Sequence, residues 1–183
     1  MKPLLRFDSV TLRRGGLLLF EGLDLALRPG EALQVTGPNG AGKSSLIRLA
    51  AGLLRAERGA VEASTLALAD ERPALDRELR LEGALAFWGG DVKAAMDALG
   101  LGPLADVPVR LLSTGQAKRA GLARAAASGA PLWLLDEPAN GLDSHSVGLL
   151  TALLDRHRKS GGAVLAASHL PMQGEWRMLE LGK

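Results

Sequence analysis

The sequence has no cysteine and no tyrosine, and its only aromatic residues are three phenylalanines and three tryptophans. The absence of cysteine excludes disulfide bonds and thiolate metal sites, and it fits a reducing compartment. The shortage of aromatic side chains argues against a surface on which nucleic-acid bases stack, as they do on RNA-recognition domains. The function must therefore use neither thiol chemistry nor an aromatic platform.

Neither sign of charge dominates, since 22 basic and 20 acidic residues give a formal net charge of +2. Charge alone therefore does not indicate nucleic acid as a partner. The longest uncharged apolar runs, residues 125–135 and 144–154, are shorter than the ~20 residues that a membrane-spanning helix needs. Arg6 and Asp8 fall where a secretory signal would need an apolar core. We expect a chain that is neither secreted nor integral to a membrane.

The length of 183 residues suits one domain with a proper core. Glycine is in excess, with 23 of 183 residues, roughly 13% against about 7% in an average protein, which predicts several tight loops. Apolar runs at residues 32–36, 132–135 and 163–167 alternate with helical patterns at residues 43–52 and 144–159. Strands that alternate with helices predict a mainly parallel α/β sheet.

The N-terminal region is also rich in strand patterns. Phe7, Val10 and Leu12 lie among polar residues, which is typical of an edge strand. Residues 17–20 and 23–27 predict two further short strands.

Residues 37–44 match the G-x-x-x-x-G-K-[ST] phosphate-binding pattern without a gap, between a predicted strand and a predicted helix. The glycines let successive backbone N–H groups face an anion, and the helix N-terminus adds partial positive charge. Lys43 is the candidate contact to the β- and γ-phosphates, and the Ser44 hydroxyl is a candidate Mg²⁺ ligand. A glycine-rich turn that matches by chance is the alternative. The candidate nucleotide-binding residues are Gly37, Pro38, Asn39, Gly40, Ala41, Gly42, Lys43, Ser44 and Ser45.

Two acidic residues end the apolar run at residues 132–135. An Asp at the C-terminal end of a buried strand lies where an α/β sheet places its ligand-facing residues. Asp136 is therefore the candidate that holds Mg²⁺ through its water shell. Glu137 is the candidate that orients or deprotonates an attacking water. Alone this pair is weak evidence, because such sequences end many strands; together with the phosphate loop it predicts nucleotide hydrolysis.

Two further features are weak when taken singly. Residues 112–116, Leu-Ser-Thr-Gly-Gln, open an alanine-rich helical pattern, and Ser113 and Gly115 form a second place for an anion. On its own this turn is better explained as a helix N-cap. His169 ends a predicted strand and is a candidate contact to the γ-phosphate. His157 has no such placement and is interpreted as a surface residue.

Along the chain, the phosphate-binding pattern at residues 37–44 is followed by the turn at residues 112–116, the acidic pair at residues 136–137 and His169. These four elements in this order resemble the ATP-binding-cassette (ABC) ATPases, over residues 4 to about 181. The resemblance implies an α/β fold of the P-loop NTPase class, with a mainly parallel central sheet, an antiparallel β subdomain and a short helical subdomain at about residues 74–128. Residues 1–183 would form a single nucleotide-binding domain. The resemblance also implies ATP and Mg²⁺ as cofactors, with Lys43, Glu137 and His169 as catalytic residues.

The resemblance implies partners as well. In the family, the nucleotide lies between two subunits packed head to tail. Ser113, Gly115 and Gln116, in the signature turn (residues 112–116), would contact the γ-phosphate bound by the partner chain, and residues 140–143 would communicate across the dimer. The chain has one set of motifs, so it needs a second chain, most simply a copy of itself.

An integral membrane transporter subunit is the other implied partner, which places the chain peripherally at the cytoplasmic face of the inner membrane. The docking surface is expected around residues 71–90. Phe87 and Trp88 are candidate contacts there, and packing inside the small subdomain is the alternative for both.

A finer resemblance is to the CcmA family, the haem-exporter ATPases of cytochrome c maturation. It is carried by residues 13–16, 19–24, 37–54, 112–125 and 168–171. In that family, ATP use is coupled to transport or to release of a haem–chaperone complex. We predict no direct haem binding. The ATPase of another exporter, of lipids, lipoproteins or drugs, is an alternative, and a soluble cassette of translation or DNA repair is a more distant one.

The sequence departs from the family pattern in three places. The glutamine that contacts Mg²⁺ and couples to the membrane subunit is missing, and Glu71 or Arg72 falls at its place. Many cassettes stack an aromatic ring on adenine, but residues 12–14 here read Leu-Arg-Arg, which predicts weak base discrimination. The stretch from residue 71 to residue 113 is short, which predicts a trimmed helical subdomain.

Overall fold

A computed structural model describes residues 2–182, and within them the chain forms eight strands and five α-helices. The strands are β1 (Leu5–Arg14), β2 (Leu17–Leu27), β3 (Ala32–Thr36), β4 (Arg58–Ala63), β5 (Leu66–Ala69), β6 (Leu132–Asp136), β7 (Ala163–Ala167) and β8 (Arg177–Glu180). The helices are α1 (Lys43–Ala50), α2 (Leu81–Ala86), α3 (Val92–Ala98), α4 (Thr114–Ala127) and α5 (Ser144–Lys159).

The central sheet has five parallel strands in the order β5-β6-β7-β3-β8, which confirms the predicted fold class. Strands β6 and β7 are buried along their whole length, as their continuous apolar runs predict. Because all five strands point the same way, the loops that follow β3, β6 and β7 meet at one edge of the sheet. That edge positions the candidate site.

Two apolar cores lie on opposite faces of this sheet. Successive residues of β6 alternate between them, so that Trp133 and Leu135 pack with α4 and α5, whereas Leu132 and Leu134 pack with α1 and the N-terminal strands. This alternation follows from the two-residue period of a strand.

The N-terminal strands form an antiparallel sheet in the order β2-β1-β4. The prediction of β1 as an edge strand is wrong, because β1 lies between its two partners. A register shift between Phe7 and Val10, with Ser9 at a positive φ of 49°, exposes polar residues and gives β1 the pattern of an edge. The two short strands predicted at residues 17–27 are one strand, β2. Strand β8 was not predicted.

Helices α2, α3 and α4 and two 3₁₀ turns form the helical subdomain. The pattern at residues 78–99 predicts a helix interrupted near Gly89, and the structure has α2 and α3 on either side of that point. No helix in the described residues is long and apolar enough to cross a membrane.

His157 is half-buried and packed against the core, so its interpretation as a plain surface residue is wrong. Its ring stacks on Trp133, with ring centroids 3.8 Å apart and planes 11° from parallel. The ring also covers Gly162, where a Cβ atom would collide with it. His157 therefore fills a gap between the end of α5 and β6, and its Nε2 atom is buried without a hydrogen-bond partner.

We predict that His157 makes the stability of the protein depend on pH. Burial lowers the pKa of His157, although backbone groups of Ala163 and Pro131 oppose this shift. When the pH falls below about 6.5, the unfolded chain takes up a proton at His157 that the folded chain does not, so the free energy of unfolding should fall. His157→Phe keeps an aromatic ring on Trp133, and its free energy of unfolding should fall less steeply as the pH is lowered.

Urea denaturation of both proteins between pH 5 and pH 8 measures this difference. Parallel stability curves for the two proteins over that range would contradict the prediction.

Candidate nucleotide-binding and catalytic site

The phosphate loop connects β3 to α1 at the carboxyl edge of the central sheet. Gly37 has a φ of 139°, and a Cβ atom at this position would collide with the carbonyl oxygen of Leu181, directly after β8. Only glycine therefore fits at this point of the loop. Helix α1 begins after Gly42 with no side-chain cap. Its first N–H groups are therefore available to an anion.

Lys43 is folded into the phosphate loop. The residue is 8% exposed, and its Nζ donates hydrogen bonds to the carbonyl oxygens of Gly37 at 2.8 Å and Pro38 at 3.2 Å. The ammonium group thus lies inside the turn, where it adds a full positive charge to the partial charges of the backbone N–H groups. The loop is suited to a polyphosphate.

Two oxygen donors meet beside the loop. The Ser44 hydroxyl donates to Asp136 Oδ1 at 3.0 Å, across 92 residues of sequence. Asp136 is 7% exposed, and burial raises its pKa, with a further rise from Glu137 and an opposing effect of the Ser44 hydrogen bond. A cation at this point would relieve the cost of burying the carboxylate.

This donor set fits Mg²⁺. The ion prefers oxygen ligands and is commonly held by one or two carboxylates together with water and substrate phosphates. Among residues 2–182, no cluster of three or more His, Cys, Asp and Glu side chains could hold a metal by itself. One hydroxyl and one carboxylate at Ser44 and Asp136 leave further ligand positions for water and for the phosphate oxygens of a nucleotide.

Glu137 and His169 also meet at this edge, 32 residues apart in sequence. His169 Nδ1 lies 2.8 Å from Glu137 Oε2, and the His169 backbone N–H donates to the same oxygen at 3.3 Å. The carboxylate of Glu137 is thus held by two nitrogen atoms of His169. Glu137 has a positive φ of 49°, and its backbone N–H is fixed by the carbonyl oxygen of Ala167 at 2.8 Å.

The comparisons with known proteins agree with this geometry. The ABC transporter family profile matches residues 20–140, a range that includes the phosphate loop, the signature turn and both acidic residues. The chain is 56% identical over 180 residues to the "Cytochrome c biogenesis ATP-binding export protein CcmA" of Sphingopyxis alaskensis, covering 94% of this chain and 93% of that protein. The protein of the same name from Novosphingobium aromaticivorans is 54% identical, with 90% and 87% covered.

The chain belongs to the ABC transporter family, in its CcmA group. It is an ATP-binding cassette and an ATPase.

Solved structures show the same fold. An ATP-binding subunit of an ABC transporter superposes with a TM-score of 0.88 at 22% identity, covering 97% of this chain and 85% of that one. A dimeric ATP-binding cassette in a post-hydrolysis state with ADP and Pi gives 0.82 at 21% identity, with 97% and 94% covered.

A cavity of about 460 Å³ lies above the phosphate loop of the cassette, with Glu137 and the β1–β2 hairpin in its walls. From the hairpin come Arg14, Leu17 and Leu19. Arg14 Nη1 donates to Ser45 Oγ at 3.4 Å, whereas Arg13 is paired with Glu57 at 3.3 Å. Of the residues at the usual aromatic position, Arg14 is therefore the one that faces the nucleotide cavity.

The signature turn of the cassette is preformed. The Ser113 hydroxyl accepts from the Gln116 backbone N–H at 3.3 Å, and the Gln116 side-chain oxygen accepts from the Ser113 N–H at 2.8 Å, which is a capping box. Gly115 packs beside the carbonyl oxygen of Gly141. The turn does not line the cavity above the phosphate loop, so the structure does not bring its residues to this chain's own site.

A second cleft, of about 660 Å³, separates residues 71–77 from the start of α4 and from the Asn140–Gly141 turn. We call it the Glu71 cleft. Glu71 and Arg72, at the place of the family's glutamine, line this cleft, and Leu75 lines it as well.

Phe87 lies outside the core and is 82% exposed, so packing inside the subdomain is the wrong alternative for it. Trp88 is 42% exposed and is covered on one face by Arg124, 4.7 Å from the ring centroid.

Sequence reasoning missed two buried polar residues that hold functional loops. Gln34 in β3 is 2% exposed; its side chain donates to the Leu170 carbonyl oxygen at 2.8 Å and accepts from the Met172 N–H at 3.1 Å. It thereby holds the loop of His169. Arg124 donates to the carbonyl oxygens of Pro73, at 3.0 Å, and of Leu68, and so anchors one end of the Glu71 cleft. A glutamine inside an apolar strand was the available signal for Gln34.

Proposed function

We propose that this cassette powers a membrane complex of cytochrome c biogenesis, of the haem-exporter type. The observation that carries the proposal is the Glu137–His169 pair beside the Ser44–Asp136 pair, in a chain that is similar over nearly its whole length to proteins named CcmA. ATP use would be coupled to transport or to release of a haem–chaperone complex. The chain would act peripherally, at the cytoplasmic face of the inner membrane.

The proposed reaction is attack of water on the γ-phosphorus of ATP, with cleavage of the bond to the ADP oxygen. Lys43 and the N–H groups of the phosphate loop stabilise the negative charge on the phosphate oxygens. Ser44 and Asp136 would hold Mg²⁺, which when bound neutralises charge between phosphate groups. Glu137 accepts the proton of the attacking water. His169, held by Glu137, contacts the γ-phosphate and fixes its position.

The signature turn would serve a second copy of the chain. Ser113 is exposed and Gly115 and Gln116 are half-buried, and their helix N-terminus is preformed by the capping box. In a head-to-tail dimer they would contact the γ-phosphate bound to the other chain, and the adjacent residues 140–143 would connect the two sites. The complete site would then need both chains.

The Glu71 cleft would receive a segment of the integral membrane subunit. Its lining includes the apolar residues Leu75 and Val109 and the basic residues Arg72 and Arg77. The exposed Phe87, on the same subdomain, adds apolar surface. This composition suits an amphipathic helix with acidic side chains.

Co-expression of the cassette with its neighbouring membrane proteins, followed by detergent purification, tests the proposal. We expect a stable complex whose ATPase rate exceeds that of the cassette alone, and loss of c-type cytochromes when Glu137→Gln replaces the wild type. Co-purification with a lipid, lipoprotein or drug exporter would support the first alternative instead. ATPase stimulation by DNA or ribosomes would support a soluble cassette.

We predict weak base discrimination, because Arg14 stands where an aromatic ring would stack on adenine. A guanidinium group can lie on either purine by a cation–π contact, typically ~0.5–2 kcal/mol. ATP and GTP should therefore bind with similar Kd values in a competition assay. Arg14→Tyr should raise affinity for both purines, and Arg13→Ala, which loses only the contact to Glu57, should not. Strong preference of the wild type for ATP would contradict the prediction.

A further inference from the structure

A lysine of the helix that begins at the signature turn reaches the end of β6, where Asp136 is the last strand residue and Glu137 follows it. Lys118 lies in the second turn of α4, and its Nζ donates to the backbone carbonyl oxygen of Asp136 at 3.3 Å. The Asp136 carboxylate accepts from the Ser44 hydroxyl at 3.0 Å, so this residue is held from two sides by two different elements. Lys118 does not line the cavity above the phosphate loop, so it acts on that site through the carboxylates near its ammonium group.

The same side chain also lines the Glu71 cleft. Burial lowers the pKa of Lys118, and the nearby carboxylates of Asp136, Glu71 and Glu137 oppose that shift. The ammonium group is thus partly dehydrated and balances acidic groups on both of its sides. A lysine on a solvated helix face would have neither the buried carbonyl partner nor this surrounding of carboxylates.

The neighbouring basic residue on α4 has a different role. Arg119 Nη1 donates to the carbonyl oxygen of Leu99 at 2.8 Å, which joins α4 to the end of α3 within the helical subdomain. Lys118 instead joins α4 to the end of β6. Of these two adjacent residues, Lys118 is the one whose contact leads to the carboxylate edge of the central sheet.

We propose that Lys118 is a positioning residue for hydrolysis, which links Glu71 in the cleft to Asp136 and Glu137. The inference rests on the proposed roles of those two carboxylates. It gives the cassette a connection between cleft and site although the family's glutamine is missing. A partner segment that enters the cleft and changes the surroundings of Glu71 thereby acts on the end of β6 through Lys118.

The test compares Lys118→Met, which removes the ammonium group, with Lys118→Arg, which can still donate to the carbonyl oxygen. Lys93→Met, on the exposed face of α3, is the matched control. The measurements are kcat and KM for ATP, the Mg²⁺ concentration for half-maximal activity, and ATP affinity by fluorescence in EDTA and in Mg²⁺. The binding assays need no turnover.

We expect Lys118→Met to lower kcat about ten-fold or more, in the range of a lost hydrogen bond from a charged group. ATP affinity in EDTA should stay within about two-fold, because the phosphate loop is intact. Affinity in Mg²⁺ should fall, and the required Mg²⁺ concentration should rise about three-fold or more, as expected for a displaced Asp136. Lys118→Arg should recover most of each loss, and Lys93→Met should behave as the wild type.

Two outcomes would overturn the proposal. One is a Lys118→Met protein with wild-type kcat and Mg²⁺ dependence. The other is an equal loss of ATP affinity in EDTA and in Mg²⁺, which would indicate a general structural role. The proposed role of Glu137 is tested separately by Glu137→Gln, so the two failures are distinguishable.

A double-mutant cycle tests the connection to the cleft. Glu71→Gln places a glutamine at the position where the family usually has one. If Lys118 transmits the effect of Glu71, Glu71→Gln should change kcat in the wild type and have a smaller effect in the Lys118→Met background. Equal effects in both backgrounds would overturn the link.

Discussion

Glu137→Gln should bind ATP as tightly as the wild type and hydrolyse it at least about 100-fold more slowly, which is the usual contribution of a general base. Glutamine has the same size, so it can keep the positive φ of this residue and can still accept from His169 through its amide oxygen. It cannot take a proton from water. A defect in turnover without a defect in binding therefore isolates the proposed chemical role of the carboxylate.

Phosphate release under saturating ATP measures turnover, and equilibrium binding of fluorescent ATP measures affinity. Glu62→Gln, an exposed position on β4, is the control for the same chemical change elsewhere. Because the variant would hold ATP for longer, it should also form more of the head-to-tail dimer in size-exclusion chromatography with ATP. Hydrolysis by Glu137→Gln at the wild-type rate would show that another group activates the water.

Lys43→Met should have the second large effect, with ATP affinity reduced about 100-fold or more and no measurable turnover. The ammonium group is the one full positive charge that the phosphate loop itself supplies, and charge-assisted hydrogen bonds to phosphate are among the strongest in proteins. The variant also loses the two hydrogen bonds to the carbonyl oxygens of Gly37 and Pro38. The thermal midpoint without nucleotide should therefore fall slightly as well.

Isothermal titration with ATP and a thermal melt without nucleotide separate the two effects of Lys43→Met. Lys93→Met serves again as the control. If Lys43→Met binds ATP within a few-fold of the wild type, the phosphate loop acts through its backbone alone and the role given to Lys43 is wrong.

The central sheet and the phosphate loop were predictable because their signals are local. An apolar run followed by a glycine-rich turn and a helical pattern specifies strand, loop and helix within about twenty residues. Asp136 and Glu137 were found in the same way, since both directly follow the apolar run at residues 132–135. Their meeting with Ser44 and His169 follows from the parallel order of the strands.

The remaining features depend on contacts between distant segments. The polar residues at the bulge in β1 give its sequence the pattern of an edge strand, and only the pairing with β4 shows that β1 is central. Gln34 reaches the backbone of residues 170–172, and Arg124 reaches residues 68 and 73, with no local pattern to indicate either. Periodicity describes which face of an element is apolar; it does not describe where a long polar side chain ends.

The backbone of Glu137 has a consequence for how the whole chain can evolve. A residue other than glycine at a φ of 49° carries strain of order 1–3 kcal/mol, against a total stability of about 5–15 kcal/mol for a typical domain. Glycine at this position would relieve the strain and remove the carboxylate at the same time. If Glu137 activates the water as proposed, stability and activity are opposed at one residue, and selection for heat resistance alone would favour a more durable cassette without the proposed catalytic carboxylate.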